Sequence, residues 1–180
     1  MNIIKIIGAD LLGFWIIGTI SICIGLALNQ FYDRPLPLVY QSKSMRLEIA
    51  VKRVVQENAV TYKNETALPH VLTLEQFQIF VKEKQGLVLD ARPDIFYRQN
   101  HVPGALSLPR EDFENSYARL HEKLESDKNQ SIAVYCSSPS CDDGKLVQRA
   151  LLKLGYTNVS VFRGGWAVWA ATISSEKGGL

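Results

Sequence analysis

The stretch IAVYCSSPSCDDG, residues 132–144, decides the fold expected for this chain. Four apolar or aromatic residues run into Cys136, a loop of small and acidic residues follows, and apolar residues then recur at helical spacing from Leu146. This order predicts a buried strand, a tight loop and an amphipathic helix. Loop amides and the helix dipole favour a thiolate at such a position, so Cys136 is the best candidate nucleophile. The spacing alone leaves an inert, buried cysteine as the alternative.

Composition restricts the function further. With 180 residues, 47% hydrophobic and 21% charged, the chain suits one globular domain plus an appendage. A net charge of +2 and scattered basic residues argue against nucleic acid as a partner. The three cysteines do not make a disulfide scaffold, and Cys136 and Cys141 have no second ligand pair at zinc spacing, so we expect no metal. The chain lacks a glycine-rich phosphate loop, and we expect no cofactor.

Residues 11–28 form an uncharged run of 18 residues. As a helix this run spans about 27 Å, close to the thickness of the bilayer hydrocarbon. We therefore expect a single-pass membrane protein in contact with membrane lipid; a cleaved signal peptide and a buried core helix are the alternatives. Lys5 and the amino terminus precede the run, and three basic residues follow it, which favours a cytoplasmic soluble domain. Those three are Arg34, Lys43 and Arg46.

The expected organisation has four parts. Residues 1–32 form the transmembrane anchor, 33–67 a juxtamembrane helix and linker, 68–174 the globular domain, and 175–180 a tail. Residues 45–58 are amphipathic, and this helix fits a stalk, a helix on the membrane or a helix on the domain. Predicted strands at 87–90, 106–108, 132–135 and 159–162 alternate with helices, which indicates an α/β fold with a parallel sheet. Thr73 and Gln76 match a capping box at the start of one helix, and residues 166–171 are expected to form a short terminal helix. Cys136 and Asp90 fall at the carboxyl ends of strands, where ligands of such sheets bind.

Four motifs in order resemble the rhodanese family: LDAR at 89–92, HVPGA at 101–105, VYC at 134–136, and VFRGGWAVW at 161–169. The resemblance covers about residues 68–171. It implies a rhodanese-like, about five-stranded parallel sheet flanked by helices, here preceded by one transmembrane helix. It also implies a sulfurtransferase whose cysteine, Cys136, carries sulfane sulfur as a persulfide cradled by loop amides and passes it to a thiol acceptor.

The active loop departs from the family pattern in its charge. It carries two carboxylates and no basic residue before Lys145, so thiosulfate is a doubtful donor, and polysulfide or persulfide suits the loop better. Phe96 stands where an acidic residue often pairs with the family arginine, which here is Arg92. The expected loop-binding residues are Ser137, Ser138, Ser140, Asp142, Asp143 and Gly144, and the supporting residues are Asp90, Arg92 and Arg163.

Cys141 lies five residues after Cys136 in the same loop. It is a candidate resolving thiol that converts the persulfide to a disulfide and releases sulfide, or a small loop residue with no partner. Two further functions therefore stay open. One is a thiol-disulfide or persulfide redox protein using Cys136 and Cys141. The other is a non-catalytic rhodanese-like module that docks a membrane redox partner.

Overall fold

The computed structural model describes residues 3–32, 36–58 and 70–177, in two compact units, Met1–Gln41 and Ser42–Leu180. The first unit contains helix α1, Ile3–Gln30. Its segment Gly13–Gln30 is long and apolar enough to cross a membrane. Near the end of the helix, the Asn29 side chain accepts a hydrogen bond from the Leu36 amide at 2.8 Å and donates to the Leu36 carbonyl at 3.0 Å. This pair fixes the chain where it leaves α1.

The second unit alternates strands and helices. Its strands are β1 (His70–Leu72), β2 (Leu87–Asp90), β3 (Leu106–Ser107), β4 (Ile132–Tyr135) and β5 (Val159–Phe162). Its helices are α2 (Lys43–Asn58), α3 (Leu74–Lys82), α4 (Asp94–Gln99), α5 (Phe113–Glu125), α6 (Asp143–Lys153) and α7 (Gly165–Lys177), and a 3-10 turn, Arg110–Asp112, precedes α5.

The five strands form one sheet in the order β1-β5-β4-β2-β3, with every neighbouring pair parallel. Alternate residues of each strand face opposite sides. Leu89 and Val134 join an apolar cluster with α2, α5 and α6, while Val88 and Tyr135 join another with α3 and α7. The expected parallel sheet with helices on both faces is confirmed. The carboxyl ends of β2 and β4 therefore lie side by side, in the register Asp90 with Tyr135.

Helix α2 belongs to the globular unit. Leu47, Val51 and Val54 are each no more than 4% exposed and pack in the cluster that contains α5 and α6. The sequence left three placements for this helix: a stalk, a helix on the membrane or a helix on the domain. These contacts correspond to the third. The compact unit consequently begins at Ser42, before the boundary expected at residue 68, because the apolar face of α2 is part of the core. The expected linker at 62–67 lies outside the described residues.

Local signals in the sequence explain several helix ends. The Thr73 hydroxyl accepts from the Gln76 amide at 3.3 Å, and the Gln76 side chain accepts from the Thr73 amide at 2.9 Å, which is the capping box expected at the start of α3. Helix α7 differs from expectation, because it continues to Lys177 instead of ending at residue 171. Residues 178–180 of the expected tail lie outside the described residues.

A buried polar cluster ties α5 to the chain before β5. The Tyr117 and Tyr156 hydroxyls lie 2.8 Å apart, and both donate to the Glu125 carboxylate, which also pairs with Lys128 at 3.1 Å. Burial raises the pKa of Glu125, but the hydrogen bonds from Tyr117 and Lys128 outweigh it, and the net pKa is below the usual range. Burial, together with these partners, raises the pKa of Tyr117. The cluster therefore holds a stable carboxylate and two neutral tyrosines.

Candidate active site

The candidate nucleophile sits where β4 gives way to a loop and then to α6. Cys136 follows the last residue of β4 and is only 4% exposed. Gly144, at the start of α6, lies beside Cys136, and a Cβ there would be in ordinary contact with the Cβ of Cys136 at 3.5 Å. Among the described residues, no side chain caps the amino end of α6. Its first amides, which lack intrahelical acceptors, are thus free to stabilise negative charge on the sulfur.

The two loop cysteines are joined. Cys136 and Cys141 form a disulfide, with their Cα atoms 6.2 Å apart. The loop closes on itself through the Cys141 amide, which donates to the Ser138 carbonyl at 3.0 Å, and the Ser138 and Ser140 hydroxyls lie 3.0 Å apart. Cys141 is more exposed than Cys136. In this state the candidate nucleophile is bonded to Cys141, and Cys141 is the residue of the pair that a thiol can approach more readily.

Helix α7 holds the loop from its other side. The Trp166 amide donates to the Cys136 carbonyl at 2.7 Å, and the Ala167 amide donates to the Ser137 carbonyl at 2.9 Å. Gly165, which precedes them, has a φ of +65°. A Cβ at Gly165 would lie 2.6 Å from the Cys136 carbonyl oxygen, so only glycine permits this approach. The VFRGGW motif thus positions the backbone that carries the cysteine.

The two loop carboxylates are paired with cations. Asp142 accepts from Lys145 at 2.8 Å, and this hydrogen bond holds the pKa of Asp142 below its usual range. Asp143 is nearly buried and contacts Arg110 Nε at 3.0 Å and Lys43 Nζ at 3.4 Å. The expectation that these carboxylates burden the loop with negative charge therefore needs correction, since each has a partner of opposite charge.

The sequence did not identify two of these cations as residues of the site. Lys43 comes from α2, and Arg110 follows β3 in the 3-10 turn. The sequence did contain a signal for Arg110, because this residue stands just past the end of a predicted strand, at the sheet edge where ligands bind. Lys43 carried no such signal, because its helix is distant in sequence from the loop.

A carboxylate oxygen of Asp143 and both sulfur atoms lie within 4.8 Å of one another. These three atoms could hold a metal only after reduction of the disulfide, because a sulfur bonded to sulfur is not a thiolate. Asp143 is in addition engaged by Arg110 and Lys43. In the form described, the cluster is an ion-paired carboxylate beside a disulfide.

Beneath the loop lies a buried network at the ends of β2 and β4. Arg92 contacts Asp90 through Nε at 3.0 Å and Nη2 at 2.7 Å, and donates to the Asn100 carbonyl at 2.6 Å. The Tyr135 hydroxyl donates to Asp90 at 2.6 Å and accepts from the Val102 amide at 3.1 Å. The substitution of Phe96 for an acidic residue therefore does not leave Arg92 without a partner, because Asp90 takes that role.

The network has a fixed protonation state. Burial alone would lower the pKa of the Arg92 guanidinium, but its hydrogen bonds and attraction to Asp90 raise it overall. Burial and the Asp90 charge raise the pKa of Tyr135. The guanidinium also lies 4.9 Å from the ring centroid of Trp166, which links the network to α7. Asp90 and Arg92 thus connect the end of β2 with the Asn100 carbonyl. Arg163 is exposed, and its charge acts in the direction that lowers the pKa of Asp142.

Comparison with known proteins identifies the domain. Residues 73–172, more than half of the chain, match the family described as "Rhodanese-like domain". A Saccharomyces cerevisiae protein, "Adenylyltransferase and sulfurtransferase UBA4", is 32% identical over 104 residues, which are 53% of this chain and 23% of that protein. A "tRNA uridine(34) hydroxylase" from Sodalis glossinidius is 26% identical over 103 residues, 57% of this chain and 28% of that protein. The chain thus spans about a quarter of the length of these curated relatives.

Solved structures share the fold. A single-domain sulfurtransferase of Saccharomyces cerevisiae, RDL2, superposes with a TM-score of 0.50 at 17% identity, covering 62% of this chain and 97% of that one. An uncharacterized protein of the same yeast gives a TM-score of 0.51 at 17% identity, covering 61% of this chain and 98% of that one. At this level of identity the likeness concerns the fold of the domain.

Proposed function

Since the chain belongs to the family of rhodanese-like domains, we propose that it is a sulfurtransferase that carries sulfane sulfur as a persulfide on Cys136. The observation that carries the proposal is the position of Cys136 between the end of β4 and the uncapped amino end of α6. Negative charge on a thiolate or persulfide is favoured there by the amides and the helix dipole. The supporting residues of the proposed site are Asp90, Arg92 and Arg163. The proposed backbone cradle consists of Ser137, Ser138, Ser140, Asp142, Asp143 and Gly144.

The transfer has two steps. The Cys136 thiolate attacks the terminal sulfur of a donor persulfide, the S–S bond of the donor breaks, and the donor leaves as a thiolate. An acceptor thiolate then attacks the terminal sulfur of the Cys136 persulfide, which forms the acceptor persulfide and returns the Cys136 thiolate. The partners are therefore a small sulfur donor, which is polysulfide, persulfide or thiosulfate, and a thiol acceptor. No cofactor is required by this sequence of steps.

The disulfide favours a second candidate function for the same site. After Cys136 has taken up a sulfur, the Cys141 thiolate can attack the inner sulfur of that persulfide, expelling hydrosulfide and forming the Cys136–Cys141 bond. A dithiol reductant, oxidised to its own disulfide, would then regenerate both thiols. Attack by this reductant at the more exposed Cys141 releases Cys136, the thiolate stabilised by α6. This cycle makes the protein a persulfide reductase rather than a carrier.

Intact-mass spectrometry of the reduced full chain distinguishes the candidates. We expect polysulfide to add one sulfur to Cys136 in the Cys141→Ser protein, and a thiol to remove it. In the wild type, a lasting persulfide supports the carrier, whereas rapid return of the disulfide with release of sulfide supports the reductase. Cys136→Ser is the matched control and must not load sulfur. Failure of the wild type to load from polysulfide, persulfide or thiosulfate would refute both and favour a non-catalytic module.

We also propose that α1 anchors the protein in a membrane with a single pass, in contact with lipid and with its domain on the cytoplasmic side. Support comes from the length and composition of Gly13–Gln30. A docked membrane redox partner would be a natural source of the reductant. We expect the chain to stay with membranes during alkaline carbonate extraction, and protease added outside intact cells to spare the domain. Release into the soluble fraction, or loss of the segment by cleavage, would contradict the anchor.

A further inference from the structure

We propose that a cationic cavity between α2 and α6 binds the carboxylate groups of a peptide-sized anionic thiol, or of its persulfide, and presents that sulfur to the Cys136–Cys141 loop. The inference rests on the proposed function, whose substrate class it specifies. The cavity has a volume of about 480 Å³. Its polar lining consists of Lys43, Lys145, Arg149, Ser42, Ser44 and Asp142.

The cavity borders the loop that carries the two cysteines, although neither cysteine is part of its lining. Asp142, in its lining, directly follows Cys141. Lys43 Nζ is 3.4 Å from the carboxylate of Asp143, and a carboxylate oxygen of Asp143 lies within 4.8 Å of both sulfurs. A ligand seated against Lys43 therefore needs to extend only a few side-chain bonds to reach the loop. This proximity favours an acceptor or donor whose charged groups flank its thiol.

The charge of the lining selects an anion. Three cations face the cavity against a single carboxylate in its lining, Asp142. Lys145 pairs with Asp142 at 2.8 Å, and Lys43 contacts Asp143, just outside the lining, at 3.4 Å. Arg149 is exposed and has no ion-pair partner within residues 3–32, 36–58 and 70–177. Its guanidinium can bind a carboxylate through two parallel hydrogen bonds. Arg149 is thus the main group that would recognise the ligand's carboxylates, and Lys43, which is largely exposed and shared with Asp143, is the second.

The size of the cavity argues for a small organic molecule. Sites for such ligands typically measure about 300–1,000 Å³, which includes this cavity and exceeds what a lone inorganic anion fills. Lys43 lies outside the family match at residues 73–172 and reaches the loop only because α2 packs on the domain. The site is therefore a feature that this chain adds to the common fold.

The test uses the full chain in mild detergent and two blocked tripeptide thiols of equal size, Asp-Cys-Asp and Asn-Cys-Asn, as acceptors of sulfur from polysulfide. We expect Arg149→Gln to raise the KM for the acidic tripeptide about tenfold, leaving its kcat and the KM for the amide tripeptide unchanged. Lys43→Gln should act in the same direction. Lys52→Gln, which removes an exposed charge of α2 outside the cavity, is the matched control.

Calorimetry with the S-methylated acidic tripeptide tests ligand binding in the cavity independently of sulfur transfer. This thioether cannot accept sulfur, so its affinity depends on the cavity alone. We expect binding to wild type that weakens with salt and is lost in Arg149→Gln. Transfer to both tripeptides with equal KM in wild type and Arg149→Gln would overturn the cavity and leave the function intact. Absence of transfer to either would refute the function, and absence of S-methyl binding would then overturn the cavity as well.

Discussion

Gly165 joins the active loop to α7, and its replacement by alanine tests how the loop is held. The residue has a φ of +65°, which costs a side-chain-bearing residue about 1–2 kcal/mol. The new Cβ would lie 2.6 Å from the Cys136 carbonyl oxygen and 2.7 Å from the Ser138 amide nitrogen. Both are backbone atoms and cannot rotate away, so the loop must shift, at a further cost of about 1–3 kcal/mol. We expect Gly165→Ala to lose about 2–5 kcal/mol in total.

Two other glycines separate these contributions. Gly104 has a φ of +79°, and among the described residues nothing lies within 4 Å of its added Cβ, so Gly104→Ala should lose only the conformational part, about 1–2 kcal/mol. Gly144 has no positive φ, and its Cβ would meet Val161 at 3.4 Å and Cys136 at 3.5 Å, which is ordinary contact. Gly144→Ala should therefore be neutral or stabilise the protein by up to about 1 kcal/mol, because alanine favours the helix.

The assay is thermal unfolding of the full chain followed by near-ultraviolet circular dichroism, alongside sulfur loading of Cys136. At roughly 3–5 °C per kcal/mol for a domain of this size, Gly165→Ala should lower Tm well beyond Gly104→Ala. It should also slow sulfur loading, since the loop carbonyls lose their donors in α7. An equal Tm loss for the two variants, with normal sulfur loading, would refute the argument that α7 positions the loop.

Three further substitutions test the polar networks. Tyr135→Phe removes a hydroxyl that donates a hydrogen bond to the buried Asp90 carboxylate and accepts one from the buried Val102 amide. Urea unfolding should register a loss of about 1–3 kcal/mol in the free energy of unfolding, and no loss would contradict the network. Arg110→Gln leaves Asp143 with only an exposed partner, so reduced Cys136 should react with iodoacetamide at higher pH than in wild type; an unchanged pH profile would count against this pairing. Glu125, whose pKa is lowered by folding, contributes stability that is complete above about pH 4.3 and lost as the pH falls through its folded value. The Tm difference between wild type and Glu125→Gln should therefore be full at pH 7 and vanish in acid, and a constant difference would refute it.

The strands of the sheet centre were predictable because buried parallel strands are continuous apolar runs. Residues 87–90, 132–135 and 159–162 were expected as strands and are β2, β4 and β5 with those bounds. The same pattern put Cys136 at a strand end, and the capping box marked the start of α3. Each of these features depends on neighbours in the sequence, which is why reading along the chain was sufficient.

The features that were missed depend on contacts between distant residues. The amphipathic face of α2 was visible, but its partner was not, because an apolar stripe fits a membrane, a stalk or a core equally. The pairing of Arg110 and Lys43 with Asp143 required the fold, since 33 and 100 residues separate them from it. Helix α7 was drawn too short because its last residues show no apolar period. The meeting of Cys136 with Cys141 stayed open until the loop geometry was known.

The packing of α2 has a practical consequence for the choice of truncation limits in this protein. Cutting at the limits of the family match, residues 73 and 172, would delete both α2 and β1. The deletion uncovers the surface that Leu47, Val51 and Val54 now cover, and it leaves β5 as an unprotected sheet border. A fragment cut there is prone to self-association, whereas one that starts at Ser42 keeps its natural shield. The unit that evolution reuses and the unit that folds are, in this protein, of different lengths.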